Sequence, residues 1–506
     1  MTSSFDTRSR SLWMDIDVAP NARQLEGDQS CDTVVVGAGM AGISTAYELA
    51  IEGQKVVVID RGAIAGGITA RTSAHLAPLC DDLTSAMIKV RGEDISRAFY
   101  ESQAAAVDRI EEIQKNIECD FRRLDGFLFQ ALNTDSQIID DELDAVRKVG
   151  APVHRIVGVE ALAGCERQHA LRYPRQGTFH PLKYLRGLAA AIEAKGGLFY
   201  ADTVVRTVEE QSEGSILVKT DRGNITASAA VVATNSPIVD SVALHTKMAP
   251  YRTYVATFEI RRGALPDALY WDTLDPYHYV RLQPGDGQID YVIVGGADHK
   301  SGEADDAGVR FDALEAWARN LIPKLGEVSH RWSGQVLDTI DYAAFIGPNP
   351  GSERIYIHTG DSGQGITHAV VGSLINSALI LRKDTKWIEV YDPSRKTRSA
   401  IGNFLSENAT VVKNFAEYLA PGELSSLDHL KPGHGAIVRQ GIKKIAAYRD
   451  DRGELYMRSA ACTHIGCHLH WNSFERCWDC PCHGSHFAVD GTPLNAPAIS
   501  ALAKAE

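Results

Sequence analysis

Long apolar runs are missing from this sequence. No stretch approaches the ~18 consecutive apolar residues that a membrane-spanning helix requires. The opening residues, MTSSFDTRSRSLWMD, contain neither a basic segment followed by an apolar core nor a twin-arginine pair, so no export signal is predicted and the cytoplasm is the expected location. Low-complexity tracts are absent as well, and 44% hydrophobic with 23% charged residues is typical of a folded globular protein.

Positively charged residues are also fewer than negatively charged ones. The chain has 52 Lys and Arg against 65 Asp and Glu, which gives a formal net charge of −13. Such a balance repels phosphate groups and argues against a general nucleic-acid-binding or anionic-membrane-binding protein. The 506 residues are enough for about two to four domains of roughly 100–200 residues each.

The pattern of apolar residues divides the chain into two folded parts. Strands and helices alternate in the first part, which begins with a βαβ unit over residues 32–60 and turns to strand-like patterns over 203–234. After a segment with polar residues and Pro-Gly pairs, the remainder alternates at period two with glycine turns, as in a small β domain. The predicted organisation is an oxidoreductase-sized part over 1–383, a linker over 384–430 and a β domain over 431–506.

A glycine-rich motif joins the first predicted strand to the first helix. Gly37, Gly39 and Gly42 form GxGxxG, and Asp60 ends the second strand 23 residues after the first glycine. The first glycine permits the tight turn, the second lets the backbone approach a pyrophosphate, and the third lets helix and strand pack closely. The unpaired N–H groups of the helix N-terminus then face the phosphates, and Asp60 accepts hydrogen bonds from the ribose hydroxyls. The motif in this context predicts a dinucleotide site rather than an ordinary glycine-rich turn.

Three further segments resemble the D-amino-acid oxidase, glycine oxidase and sarcosine oxidase superfamily of FAD-dependent amine oxidoreductases. They are the polar loop over 61–77, a strand over 231–234 that stops at a small-residue turn, and a second glycine loop over 359–368 that opens a helix. The resemblance covers residues 30–383 and implies FAD as the cofactor. It also implies an α/β fold: a Rossmann-like FAD-binding domain with an inserted antiparallel-sheet substrate domain. In the superfamily the second glycine loop lies against the flavin, where a helix N-terminus stabilises negative charge on the reduced ring.

The resemblance implies a set of residues that contact FAD. They are Gly37, Gly39, Met40, Ala41, Gly42, Asp60, Arg61, Thr69, Thr72, His75, Val205, Thr234, Gly360, Gly363, Gly365, Ile366 and Thr367. His75 matches the position at which some members of the superfamily bond a histidine to the flavin 8α carbon. Three roles stay open for it from the sequence: a covalent link, a non-covalent contact with FAD, or neither.

Substrate residues are predicted from the same resemblance. Arg252 and Tyr254 lie on a predicted strand that lines the substrate cavity in the superfamily, and His299 is a further candidate. An arginine there binds a carboxylate through two parallel hydrogen bonds, although a solvated surface arginine fits the same sequence. The strand over 291–296 offers no lysine of the kind that activates oxygen in monomeric sarcosine oxidases, while Lys300 follows a little later. This favours a dehydrogenase over an oxidase.

Cysteine is sparse in most of the chain and concentrated near its end. Four cysteines are scattered and predicted to be core thiols: Cys31, Cys80, Cys119 and Cys165. The other five fall within 21 residues: Cys462, Cys467, Cys477, Cys480 and Cys482. In a reducing compartment such a cluster favours a metal site over a disulfide framework. Two loops that each supply one cysteine and one histidine suit either zinc or an iron–sulfur cluster.

The spacing CxHxxC…CPCHGS closely resembles the Rieske [2Fe–2S] domain, over about residues 430–506. The ligands that this resemblance implies are Cys462 and Cys480 on one iron and His464 and His483 on the other. Neutral imidazoles in place of two thiolates raise the potential to roughly −150 to +300 mV. The resemblance further implies a disulfide between Cys467 and Cys482. This second cysteine pair, with the Gly-Ser after the last ligand, favours the iron–sulfur cluster over zinc.

Two residues near the predicted ligands are expected to influence the reduction potential of the cluster. Ser485 fits the hydroxyl that donates a hydrogen bond to a bridging sulfide in higher-potential Rieske proteins. Phe487 stands where those proteins often have a tyrosine, whose hydroxyl bonds a cysteine sulfur. Loss of that donor lowers the potential, so the sequence predicts a value below that of respiratory Rieske centres.

Together the two resemblances predict an enzyme with two redox centres. A small-molecule amine or amino acid is oxidised at FAD, and the electrons pass through the cluster to a one-electron acceptor protein whose identity the sequence does not give. Two alternatives stay open: an O₂-using amine oxidase with a structural or regulatory Rieske domain, and an electron-transfer or redox-sensing protein reduced by NAD(P)H. A Rieske oxygenase is not expected, because such enzymes place a mononuclear-iron domain after the Rieske domain and here only 23 residues follow His483.

Overall fold

The computed structural model describes residues 9–239, 242–441 and 443–505. The helices of this part are α1 (Met40–Ile51), α2 (Thr84–Arg91), α3 (Glu93–Gln114), α4 (Gln137–Lys148), α5 (Pro181–Ala194), α6 (Val242–His245), α7 (Ala307–Leu321), α8 (Gly365–Ile380), α9 (Ile388–Tyr391) and α10 (Ile401–Ala416). The strands before residue 300 are β1 (Gln29–Val36), β2 (Val56–Ile59), β3 (His75–Leu76), β4 (Arg122–Phe129), β5 (His154–Val157), β6 (His169–Thr178), β7 (Leu198–Tyr200), β8 (Val205–Glu210), β9 (Ile216–Thr220), β10 (Asn224–Val232), β11 (Met248–Arg261), β12 (Leu269–Asp272), β13 (Tyr279–Pro284) and β14 (Ile289–Lys300). The later strands are β15 (Val328–Thr339), β16 (Phe345–Pro348), β17 (Ile355–Thr359), β18 (His434–Gln440), β19 (Lys443–Arg449), β20 (Leu455–Ser459), β21 (His470–Asn472), β22 (Cys477–Asp479), β23 (His486–Phe487) and β24 (Pro493–Asn495).

The first sheet has the central strand order β16-β17-β10-β1-β2-β7, with β9 joined to β10 and β8 joined to β9. β1 runs parallel to β2 and β10, β2 to β7, and β10 to β17. The apolar end of β1 is buried on both faces, because Val35 packs in the core with α1, α5 and α8 while Val34 and Val36 pack with β8–β10 on the other side. This is the expected Rossmann-like sheet.

The second sheet is built from segments inserted between strands of the first. Its order is β15-β11-β14-β13-β12-β4-β6-β3, with β5 paired to β6, and its pairings are antiparallel apart from that of β12 with β4. β3–β6 lie in the chain between β2 and β7, and β11–β15 lie between β10 and β16. The predicted insertion of an antiparallel sheet is therefore confirmed.

The C-terminal domain, from β18 onward, consists of a three-stranded sheet (β18-β19-β20) and a four-stranded sheet (β21-β22-β23-β24). The buried side chains of Leu469, Trp478 and Phe487 form its core together with the cysteines of the predicted metal site. The sequence prediction of a small all-β domain is confirmed.

The predicted linker over 384–430 contains α9, α10 and short 3₁₀ turns, and it touches both folded parts. From α10, Asn408 donates a hydrogen bond to the carbonyl of Thr246, while Asn414 donates to the carbonyl of His468 (3.1 Å) and accepts from its N–H (2.7 Å). This segment is therefore a bridge between the two parts and not a bare tether. Within the described residues, none of the helices has both the length and the apolar character needed to cross a membrane.

Candidate functional site

A cavity, here called the dinucleotide cavity, opens at the carboxyl ends of β1, β2 and β10, where α/β sheets bind their ligands. Gly37 sits at its floor with a φ of +101°, and a Cβ there would lie 2.3 Å from the carbonyl oxygen of Ala233. A Cβ at Gly42 would lie only 1.8 Å from the carbonyl oxygen of Gly37. Both positions therefore require glycine, for the reasons that the motif predicted.

The first turn of α1 is left open toward this cavity. Its N-cap, Gly39, offers no side chain to the helix, and the N–H of Met40 donates to Thr69 Oγ1 (2.9 Å). Asp60 lies at the wall, where its two carboxylate oxygens accept hydrogen bonds from the N–H groups of Ala38 (2.8 Å) and Gly62 (2.9 Å). Burial raises the pKa of Asp60 while these N–H groups lower it. The open helix end provides the positive partial charge that a pyrophosphate requires.

The structure brings most of the predicted FAD residues together around this cavity. Those that line it are Gly37, Gly39, Met40, Ala41, Asp60, Arg61, Thr69, Thr72, Val205, Thr234, Gly363, Gly365 and Ile366. Gly42 lies behind the wall in the helix–strand contact, and Gly360 packs against Thr339 and Met248. His75 and Thr367 line an adjoining chamber instead.

This adjoining space, the side chamber, shares part of its wall with the dinucleotide cavity. The residues that face both are Ser73, Thr253, Tyr279, Val336 and Gly363. His75 lies in the side chamber with Nδ1 3.1 Å from Ser73 Oγ, and its ring packs edge-on against Tyr279. Burial, with the charge of Arg281, lowers the pKa of His75 to about 3, so its imidazole is neutral at physiological pH.

The three substrate candidates lie on the other face of the strands that form the chamber. Arg252 pairs with Asp479 of the C-terminal domain, and Tyr254 Oη lies 3.0 Å from His299 Nε2. None of the three is among the described residues that line the cavity or the chamber. Side chains alternate along a strand, so Thr253 points into the chamber while its neighbours point away. Sequence reasoning identified β11 and missed which of its faces lines the chamber.

The two loops of the predicted metal centre have matching geometry. In each, the glycine N–H bonds back to the first cysteine carbonyl: Gly466 to Cys462 (2.9 Å) and Gly484 to Cys480 (3.1 Å). Both glycines have positive φ, +83° and +78°, which lets the loops turn tightly. The loops thus present two buried thiols, and the rings of His464 and His483 lie with centroids 5.1 Å apart.

The donor set fits a diiron cluster. His483 Nδ1 is enclosed and has no hydrogen-bond partner among the described residues, as expected of a nitrogen reserved for a metal. Cys467 and Cys482 stand beside the ligand loops with their Sγ atoms 2.18 Å apart, at bonding distance. Ser485 is fully buried, and its Oγ accepts a hydrogen bond from the N–H of Ala498 and contacts Cys462.

Two buried ion pairs fix the C-terminal domain onto the first part of the chain. Arg252 and Asp479 are 2.8 Å apart, and Arg71 and Glu475 are 2.9 Å apart, with all four side chains at most 6% exposed. The charge of Arg252, opposing the effect of burial, lowers the pKa of Asp479 to about 2. Separating the domains would leave these buried charges without their partners, which is energetically costly.

This docking brings the C-terminal domain into the wall of the dinucleotide cavity. Leu494, Asn495 and Ala496 line the cavity, and Arg61 donates to the carbonyl of Pro493 (3.3 Å). No sequence pattern indicates these contacts, since they join segments more than 400 residues apart.

Two side-chain amides connect the cavity with the second metal loop. Gln335 and Asn495 both line the cavity, and both donate to the carbonyl of Gly484, at 2.9 and 3.3 Å. Gly484 directly follows His483. The ring of His245 also contacts the metal loops, with its centroid 4.9 Å from that of His464 and 5.7 Å from that of His483.

Comparison with known families agrees with both halves of this site. The FAD dependent oxidoreductase (DAO) family matches residues 32–377, and the Rieske [2Fe-2S] domain matches residues 423–506. The chain belongs to the FAD-dependent oxidoreductase family. It is an enzyme of this family with a C-terminal Rieske domain, and its cofactors are FAD and a [2Fe–2S] cluster. The predicted family, cofactors and fold are thereby confirmed.

The three known proteins compared next match this chain over nearly its whole length or over about three quarters of it. YhfW of Bacillus subtilis (strain 168), named as a Rieske 2Fe-2S iron-sulfur protein, is 30% identical over 501 residues, which cover 97% of this chain and 96% of that protein. Gamma-glutamylputrescine oxidoreductase of Escherichia coli (strain K12) is 27% identical, over 77% of this chain and 91% of the relative. Glycine oxidase from Geobacillus kaustophilus has a similar fold, with a TM-score of 0.61 at 18% identity over 73% of this chain and 99% of that one.

Proposed function

We propose that this protein oxidises the CH–NH bond of an amine or amino acid and passes the electrons from FAD through the Rieske cluster to an external one-electron acceptor. When bound, FAD supplies hydride acceptance and the cluster supplies one-electron transfer. The observation that carries the proposal is the position of Gln335 and Asn495, which line the dinucleotide cavity and donate to the loop that holds His483. A domain with only a structural role would not need its ligand loop at this wall.

The side chamber supports the substrate half of the proposal. It adjoins the dinucleotide cavity along Thr253, Tyr279 and Val336, so a small molecule held there meets the cofactor site directly. The walls are aromatic and polar, and the cavity is closed on one side by the C-terminal domain, which limits the access of water. The neutral His75 offers a hydrogen-bonding nitrogen, Nε2, that has no partner among the described residues.

The absence of a suitable lysine favours a dehydrogenase over an oxidase. Among the described residues, no lysine lines the dinucleotide cavity or the side chamber. Lys300, the candidate closest in sequence, ends β14 with its Nζ 2.5 Å from Glu407 of α10. Its charge is therefore committed to the bridge between the two parts of the chain.

Anaerobic mixing of the full chain with a panel of amines and amino acids tests the proposal. We expect one class of compound to bleach the flavin absorbance and, in the same reaction, to produce the electron paramagnetic resonance signal of a reduced Rieske cluster. A bleached flavin beside an oxidised cluster would contradict the electron route. Hydrogen peroxide formed in proportion to substrate in air would instead identify an oxidase, and bleaching by NAD(P)H alone would identify an electron carrier.

A further inference from the structure

The side chamber has an unusual charge distribution for an amino-acid site. Asp81, Asp298 and Asp338 all line it, and within the described part of the chain no lysine or arginine does. A fourth acid, Glu142, is committed to structure, because its oxygens accept hydrogen bonds from the N–H groups of Thr84 and Ser85 at 2.9 Å. Three aspartates thus face a chamber to which the described residues contribute no lysine or arginine.

The hydrogen-bond donors that the described residues offer to Asp81 and Asp298 are neutral hydroxyls. The side chain of Asp298 has the hydroxyl of Thr253 as a partner, while its Oδ1 is enclosed and accepts no hydrogen bond from the described residues. Arg310, whose charge acts on Asp298, is paired with Asp306 (2.6 Å) and donates to the carbonyl of Ala297. Among the described residues, Asp81 accepts a hydrogen bond from the neutral hydroxyl of Tyr277 at 2.8 Å. A buried carboxylate needs a cationic partner to stay charged, and none of the described side chains that line the chamber is a lysine or arginine.

The aromatic wall of the chamber points independently to the same kind of ligand. Tyr173 and Trp271 pack together with ring centroids 5.3 Å apart, and Tyr277 and Tyr279 pack with centroids 5.8 Å apart. All four rings line the chamber. Electron-rich aromatic faces attract ammonium groups, most strongly where water is excluded. Carboxylates and aromatic rings around one space together recognise organic cations.

We infer that the side chamber binds a di- or polyamine, whose second ammonium group is held by Asp81, Asp298 and the aromatic wall while the first amine is oxidised. This inference rests on the proposed function and narrows its substrate class. An amine must lose its proton to give up a hydride from the adjacent carbon, so the reacting nitrogen cannot neutralise the aspartates. An amino acid would bring a carboxylate into a space that already holds three.

Protonation of the empty chamber agrees with this view. Burial, with the charge of Asp82, raises the pKa of Asp81 to about 7, and burial raises the pKa of Asp298 to about 6. Without a cation these groups keep protons at a pH at which exposed aspartates have lost them. A bound ammonium group would lower the pKa of both carboxyl groups and pair with them once they are charged.

Matched four-carbon compounds test the inference. 1,4-Diaminobutane carries two amines, butylamine carries one, and 4-aminobutanoate replaces the second amine by a carboxylate. We expect kcat/KM for the diamine to exceed that of butylamine by about tenfold or more, the equivalent of one favourable charge contact, with 4-aminobutanoate weaker still. Diamines of three to six carbons extend the comparison to other distances between the two charges. Equal rates for the diamine and 4-aminobutanoate, or a preference for amino acids, would overturn the inference.

Variants connect the preference to the chamber. Asp298→Asn keeps the shape and removes the charge, so KM for the diamine should rise about tenfold while that for butylamine changes little. Asp286→Asn, on the exposed turn between β13 and β14, is the matched control and should leave both unchanged. An equal effect of Asp298→Asn on both compounds would indicate a structural role and contradict the inference.

Equilibrium binding separates this inference from the proposed function. In a bis-quaternary diammonium compound neither nitrogen has a lone pair, so the C–H bonds of the adjacent carbons cannot be oxidised. The compound still carries both positive charges. Calorimetric binding of this compound to the holoenzyme, weakened by Asp298→Asn, supports the chamber assignment even if no amine is oxidised. Conversely, amine oxidation with no diamine preference and no such binding sustains the function and refutes the inference.

Discussion

At position 42 a single methyl group would meet the backbone. A Cβ there would lie 1.8 Å from the carbonyl oxygen of Gly37, which forms the turn of the dinucleotide motif. We therefore expect Gly42→Ala to lower the free energy of unfolding by about 1–3 kcal/mol and to reduce the FAD bound per chain. Thermal unfolding and the ratio of flavin to protein absorbance measure both. Gly308→Ala on α7, where nothing lies within 4 Å, is the control and should be stable; equal FAD loss in both variants would contradict the argument.

Ser485 offers a second prediction at the scale of one residue. Its buried Oγ accepts a hydrogen bond from Ala498, which leaves the hydroxyl proton to donate toward the metal site near Cys462. Removing that donor in Ser485→Ala should lower the midpoint potential of the cluster, because hydrogen bonds to the sulfur atoms stabilise the reduced form. Phe487→Tyr, two residues further along the chain on β23, should raise the midpoint potential. A redox titration followed by electron paramagnetic resonance decides; an unchanged potential in both variants would contradict the prediction.

The titration of the side chamber gives a pH dependence. The pKa values of about 7 for Asp81 and about 6 for Asp298 are raised by burial, so both groups are neutral at pH 5 and charged at pH 8. The same cause raises the pKa of Asp338, Tyr277 and Tyr279, and lowers that of His75. Binding of a permanently charged diammonium compound should therefore tighten from pH 5 to pH 8. Affinity that is constant or falls over this range would contradict the assignment.

At the scale of elements, α10 serves as the bridge between the two parts of the chain. Asn414 is 1% exposed and makes two hydrogen bonds with the backbone of His468, as a paired strand would. Asn414→Ala leaves both backbone groups unsatisfied, so we expect a loss of about 1–3 kcal/mol in the stability of the C-terminal domain. Calorimetric unfolding measures this, with Asn116→Ala at an exposed position as the control. Equal stabilities of the two variants would show that α10 does not hold the domain.

The elements differ in how far the sequence determines them. β1 and α1 could be predicted directly, from a buried apolar run and from glycines at positions where the backbone leaves no room for a Cβ. The metal loops could be predicted from the spacing of the ligands. β11 was predicted, but its inward residue, Thr253, was not, because a strand that is buried on both faces has no polar alternation to mark its register. The aspartates of the side chamber were also missed. They come from three separate segments and carry no motif.

At the scale of the whole molecule, Arg252 couples the two folded parts. Arg252→Ala would leave Asp479 buried without its partner, at a cost of about 3–5 kcal/mol to domain docking. Flavin reduction by substrate should stay within about twofold, because Arg252 faces away from the side chamber, while reduction of the cluster slows by about tenfold or more. Stopped-flow absorbance separates the two rates.

An exposed ion pair provides the control for this variant. Arg262 pairs with Asp290 at 3.1 Å, with the arginine side chain 46% exposed, so Arg262→Ala should change stability by about 1 kcal/mol or less. Reduction of the cluster at the wild-type rate in Arg252→Ala would show that the ion pair of Arg252 and Asp479 does not govern the docking of the C-terminal domain. The relative placement of the domains could not be predicted from the sequence, since it depends on single residues from both parts whose pairing leaves no local pattern.

The wall that Leu494–Ala496 add to the dinucleotide cavity has a consequence for biogenesis. Synthesis releases the nucleotide-binding part first, and for as long as the last hundred residues are still on the ribosome its pocket stays unroofed. The cavity is therefore complete only after the C-terminal domain has been synthesised and has docked against the part that was made first.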